Sequence, residues 1–243
     1  MMQRVRRIGF GLFITLAIVG AVGQAPAAAQ ERFEVSSIKA VRPHLVDTIA
    51  ALQQRDVARA KAAFEAYDSA WNGIEVYIAT RSRDMYQALE LNLQTKVTKA
   101  LEGPNPDIAA VLTDVQAMLA KYDEAIGMVE KGPPLNALYD DVARLRIVRA
   151  HLREVPPALK AGNIAKARKS FETFDNKWDS IEDLIKARSA DAYVAIEKGM
   201  IEIEQALMAD KPDVAKATAL VNDVMTQYNA ALAEVVKEAR SRQ

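Results

Sequence analysis

One stretch of this chain is written twice. Trp71-x-x-Ile74-Glu75, followed by Arg81-Ser82-x-Asp84-x-Tyr86-x-x-x-Glu90, returns as Trp178-x-x-Ile181-Glu182 and then Arg188-Ser189-x-Asp191-x-Tyr193-x-x-x-Glu197. The offset, 178 − 71 = 107, needs no gap across the block. It also carries His44 onto His151, Phe64 onto Phe171 and Asp68 onto Asp175. Both histidines and both tryptophans of the chain are thereby paired. Between Val41–Gln94 and Val148–Ile201, 21 of 54 positions are identical. Such a repeat constrains the fold strongly, because both copies must satisfy one plan. Beyond Glu90 the offset falls to 106, since Pro106-Asp107 meets Pro212-Asp213 and Tyr122 meets Tyr228. One residue is therefore gained or lost late in the segment that carries Glu90.

The periodicity within each copy is helical. Phe64, Trp71, Ile74 and Ile78 recur at spacings of seven, three and four, which puts them on one face of a helix. Glycine and proline are sparse and sit mostly between such stretches, as in Gly103-Pro104-Asn105-Pro106 and Gly132-Pro133-Pro134. The expected fold is all-α. Each copy reads as four helices, near 36–54, 57–80, 83–101 and 107–129 in the first, with Pro43 marking a start or kink of the first helix. Short loops favour antiparallel neighbours. The chain is expected to contain helical repeats over 35–130 and 135–240, either as two tandem up-down four-helix modules or as one continuous helical array.

The first 29 residues read as a secretory signal. Arg4, Arg6 and Arg7 precede an uncharged apolar run from Ile8 to Val22, and Ala27-Ala28-Ala29 offers a small-residue cleavage site. The run is short for a membrane span, which needs about 20 residues. Cleavage is the first reading and an uncleaved anchor the second. The expected location is the periplasm, with no membrane span after processing. No cysteine is present, so no disulfide staples the fold. Removal of the leader changes 32 basic and 32 acidic residues to 29 and 32, a net charge of −3. A weakly acidic chain without a basic stripe is a poor nucleic-acid ligand.

The acids retained in both copies are the candidate site. Asp68 and Glu75 share the face that carries Phe64 and Trp71. Glu75 lies about six residues before the turn near Arg81-Ser82 and Glu90 about eight after it, so an antiparallel pair sets them at one height. Tyr122 reaches the same level. This gives an acidic layer of Glu75 and Glu90, repeated as Glu182 and Glu197 with Tyr228. A second layer pairs His44 with Asp68, repeated as His151 with Asp175. Two carboxylates at one height need protonation, an arginine or a cation. Oxygen ligands suit a hard or borderline ion such as iron. The competing reading is structural, with each Glu held by Arg81, Arg188 or a tyrosine hydroxyl and each histidine hydrogen-bonded within the fold. Asp84 and Asp191 fit helix N-terminal positions.

Other chemistries find no support. The chain lacks Cys-x-x-Cys-His, the Glu-x-x-His of di-iron bundles, His-Glu-x-x-His, a phosphate-binding glycine loop and Gly-x-Ser-x-Gly. No enzymatic activity and no haem are expected.

The run Gly162-Asn163-x-Ala165-x-Ala167, then Phe171, Trp178-x-x-Ile181-Glu182, Tyr193-x-x-Ile196-Glu197 and Leu207, resembles the extracytoplasmic helical region that precedes the membrane part of bacterial high-affinity iron permeases. The resemblance covers both repeats. The chain departs from that family in lacking a multi-span membrane region and the intramembrane Arg-Glu-x-x-Glu motif. What the resemblance implies is a stand-alone, duplicated periplasmic module that handles iron, with Glu75, Glu90, Glu182 and Glu197 as the corresponding positions. An inner-membrane iron permease, or another envelope protein, is the implied partner. The alternative is a ligand-free helical interaction or scaffold protein of the cell envelope.

Overall fold

The computed structural model of the protein describes Glu31–Gln243. The signal-peptide reading of residues 1–29 lies outside the described residues. All regular structure within them is helical. Helix α1 (Phe33–Gln53) runs unbroken through Pro43. Helix α2 (Val57–Ala79) follows a tight turn and is capped by Asp56, whose carboxylate accepts from the Arg59 amide. A rod made of α3 (Arg83–Gln87), a π-helical turn (Ala88–Gln94) and α4 (Thr95–Glu102) comes next, and α5 (Ile108–Lys131) closes the first half. The second half holds α6 (Leu138–Arg153), α7 (Val155–Lys160), α8 (Ile164–Trp178), α9 (Glu182–Lys186), α10 (Ala190–Leu207) and α11 (Val214–Ser241).

Local chemistry recurs at matched positions. The turn before α2 places Arg55 at φ 57°, and the turn before α8 places Gly162 at φ 72°. Glycine adopts this left-handed conformation without a Cβ clash, whereas Arg55 holds it against its side chain. Ser82 and Ser189 cap the helices that follow them through the amides of Met85 and Ala192. Asp84 and Asp191 lie in those first turns. The Tyr122 hydroxyl donates to the Ile38 carbonyl and the Tyr228 hydroxyl to the Leu145 carbonyl, each at 2.7 Å.

Two departures from strict repetition matter. The first is the π turn. A π turn accommodates one more residue than the α-helix it interrupts, and the offset drops by one over this same stretch. Leu89 matches buried Ile196 at offset 107, while Val97 and Leu101 match buried Ile203 and Leu207 at offset 106. The extra residue is thus absorbed without moving the apolar face on either side. The second departure is in α8, which stops at Trp178, whereas α2 continues past Trp71 to Ala79. At the matched step, α2 has buried Gly73 and Ile74 against α6; a Cβ at Gly73 would overlap the Ile147 side chain. The second half instead has exposed Asp179 and Ser180, and Arg144 bonds the Ser180 carbonyl opened by the break.

Helix α1 packs on α2 and α5, α2 also packs on α6, and α6 packs on α8 and α11. One contiguous apolar core therefore runs from Val35 to Ala239, and Glu31–Gln243 forms one compact unit. Trp71 and Trp178 are both buried in it. Among the described residues no helix is long and apolar enough to cross a membrane.

Candidate functional site

The first acidic layer is assembled by α2 and the π turn, with α6 as its lid. The Trp71 indole N–H donates to a Glu90 carboxylate oxygen. Tyr86 stacks on the same indole at a centroid distance of 6.4 Å and 10° between planes. Glu75, one turn along α2, accepts from Arg146 of α6 at 2.7 Å. Its side chain is only 12% exposed, so this pair is largely desolvated. The sequence placed Glu75 and Glu90 together, and they are close enough to act on one another. Burial, then Glu75, pushes the Glu90 carboxyl above the usual carboxylate range. Burial raises Glu75 as well, while Arg146 pulls it back.

The second layer repeats the aromatic part only. Trp178 donates its indole N–H to Glu197, and Tyr193 stacks on Trp178 at 6.4 Å and 12°. Burial raises the Tyr193 hydroxyl, with Glu197 and Glu182 both adding to the shift. Glu182 lies in the first turn of α9, past the helix break. It makes no ion pair among the described residues.

Three expected contacts take other forms. The tyrosine hydroxyls do not join the carboxylates; Tyr122 and Tyr228 spend them on backbone carbonyls of α1 and α6. Arg81 does not neutralise Glu75. It bonds the Tyr77 carbonyl at the end of α2 and reaches Glu34 at 3.2 Å, while Arg188 bonds the Leu184 carbonyl and lies 4.0 Å from Asp141. The neutralising cation for Glu75 comes instead from α6 of the other half. The signal for it was present as Arg146, Arg149 and Arg153, spaced three and four on one helix.

The histidine layers are also rearranged. Asp68 accepts from the Gln94 amide, supplied by the π turn. Burial raises its carboxyl, opposed by that hydrogen bond and by Arg153. His44 makes no side-chain hydrogen bond or ion pair among the described residues. It is His151 that shares a cleft with Asp68, a space of about 700 Å³ where α2 and α4 face α6 and α8, with Glu65, Glu102, Glu154 and Lys166 also on its walls. Burial lowers the His151 imidazole, partly offset by Glu154. Asp175 is exposed on α8, where burial, then Glu204 and Asp179, raises it. Among the described residues no three His, Asp or Glu side chains converge as a metal-holding group. Next to the first layer, the Tyr67 hydroxyl and the Gln94 amide oxygen are buried without hydrogen-bond partners.

No family model, curated protein or solved structure matches this chain.

Proposed function

We propose that this chain is an exported helical interaction protein of the cell envelope, a tandem of two four-helix units in which Glu75, Glu90 and Glu197 fasten helices together. The observation that carries this reading is how the acids are occupied. Glu75 accepts from Arg146, and Glu90 and Glu197 accept from the two indoles. A carboxylate whose charge is neutralised by a guanidinium, or whose lone pairs are partly committed to an N–H, has less to offer a cation. The tandem construction is supported by a bond that recurs at offsets of 106 and 107, Tyr122 to Ile38 with Tyr228 to Leu145, and by a looser match, Arg81 at 3.2 Å from Glu34 with Arg188 at 4.0 Å from Asp141. The leader-like residues 1–29 support the periplasm as its location.

A second reading, an iron-binding accessory protein that works beside an inner-membrane iron permease, draws on one specific observation. Glu75 and, more weakly, Asp68 raise the half-buried Glu90 carboxyl, so acidic charge from α2 bears on it. In this reading Arg146 leaves Glu75 when the cation arrives, and His44, His151 and Asp175 remain outside the coordination sphere. Thermal unfolding of the mature protein in ferrous and ferric iron separates the two. The structural reading expects no shift with either ion, and a lower melting temperature for Glu75→Ala in metal-free buffer. The iron reading expects a gain of about 2.7 kcal/mol at a hundredfold excess over the dissociation constant, lost in a Glu75→Gln, Glu182→Gln double variant.

A further inference from the structure

The two halves differ where α1 meets α5 and α6 meets α11. In the first half Arg42 grips both oxygens of Asp123, at 2.6 and 2.9 Å. At the matched positions, 42 + 107 = 149 and 123 + 106 = 229, the second half keeps the arginine but replaces the carboxylate with Asn229. Arg149 makes one bond to that neutral amide, at 3.0 Å. A second acid is lost on the same stripe, because Glu130, which pairs with Lys39 at 2.6 Å, is matched by Val236.

The loss falls on the more sheltered of the two arginines. The Arg149 Nε is buried and has no partner. Among the described residues Arg149 forms no ion pair. Its neighbours along α6, Arg146 and Arg153, are cations, and Glu75, the acid that faces them, is bonded to Arg146. Burial and these two arginines push the Arg149 guanidinium below its ordinary value. A sheltered charge of this kind calls for a counter-ion.

A groove of about 480 Å³ opens beside it between α6 and α11. Leu232, Ala233 and Val236 line it together with Lys237 and Arg240. Lys237 leans on exposed Glu234 at 3.7 Å, and Arg240 makes no ion pair among the described residues. The groove thus combines an apolar wall with three cations and has no acid in its lining.

We propose that this groove binds an amphiphilic oxyanion, its carboxylate or phosphate held by Arg149 with Lys237 and Arg240, and its apolar body laid along Leu232 and Val236. The planar guanidinium fork matches a two-oxygen anion better than a spherical one. The site does not depend on how the acidic layers are read, since it shares no acid with them.

Calorimetric titration of the mature protein with decanoate, decyl phosphate, decanol and inorganic phosphate tests this directly, each amphiphile kept below its micelle concentration. Decanoate or decyl phosphate should bind at least tenfold more tightly than decanol and than inorganic phosphate, and whichever of the two is tighter identifies the headgroup. Arg149→Met should abolish that preference while melting no lower than the parent, because an unpaired sheltered charge has been replaced by an unbranched apolar chain. A Lys237→Ala, Arg240→Ala variant, altered only at exposed positions, should weaken binding about tenfold even if Arg149→Met fails to fold. The proposal is overturned if neither anion outbinds decanol, if inorganic phosphate binds as tightly as decyl phosphate, or if the exposed double variant binds like the parent.

Discussion

Each tryptophan in this protein spends its single donor on a glutamate that arrives nineteen residues later. In the first half that glutamate is surrounded by cost. Burial comes first, then Glu75 and Asp68, while Trp71 and Arg153 oppose them. The folded-state pKa of Glu90 therefore lies above its unfolded value, which is near the usual ~4.3. The folded chain binds this proton more tightly than the unfolded one, so stability should rise as pH falls through the raised pKa and level off below the unfolded value. Asp68 and Glu75 shift in the same direction. Glu238, held down by Arg188, shifts the other way. The clean measurement is thus the difference between the parent and Glu90→Gln, which keeps an acceptor for the Trp71 indole. Urea denaturation from pH 7 to pH 4 should show the variant gaining less on acidification than the parent. Parallel curves for the two would mean that Glu90 is not the strained group.

At the scale of elements, the π turn is the feature that makes the two halves chemically different. It admits one extra residue, keeps Leu89 and Val97 on the buried face, and delivers Gln94 to Asp68. Uninterrupted α10 has no such turn, and Asp175 stays exposed. Deleting exposed Asn92 should convert the rod into an α-helix like α10 without moving Val97 or Leu101. The expected loss is about 1.5–3 kcal/mol, the worth of a hydrogen bond to a charged group, with helical circular dichroism unchanged. Collapse of cooperative unfolding in the deletion variant would show instead that the turn sets the register of the whole rod. Helix α2 shows the complementary effect. It stays continuous because Gly73 lets α6 approach and bury the step that lies open in the second half, after Trp178.

For the molecule as a whole, the contact between α2 and α6 decides what kind of object the repeat builds. Glu75 with Arg146, Asn72 with Arg153 at 2.8 Å, and Tyr77 with Asp140 at 3.3 Å cross the boundary between copies. The apolar core continues beneath them. Calorimetry of Glu31–Gln243 should therefore give one transition, with calorimetric and van't Hoff enthalpies equal. A double-mutant cycle on Glu75→Ala and Arg146→Ala should return a coupling of about 0.5–3 kcal/mol. Two resolved transitions, or a coupling near zero, would mean that the halves stand independently.

Much of this was legible in the chain alone, because it rests on short-range periodicity. The 3.6-residue spacing of Phe64, Trp71, Ile74 and Ile78 determined a buried helical face, Pro and Gly clusters determined its ends, and the doubled text marked the same acids twice. The change of offset from 107 to 106 already announced an extra residue, though not the π turn that holds it. Partners were a different matter. Self-similarity relates positions within a copy, so it pairs Asp68 with His44 and sets the tyrosine hydroxyls beside the carboxylates. The fold instead gives Asp68 to Gln94, sends Arg146 across from the second half to Glu75, and spends the hydroxyls of Tyr122 and Tyr228 on carbonyls of neighbouring helices. Helical spacing fixes which face a side chain occupies. Which group meets it there depends on how helices from distant parts of the chain pack, and that was decided only when α6 closed over α2.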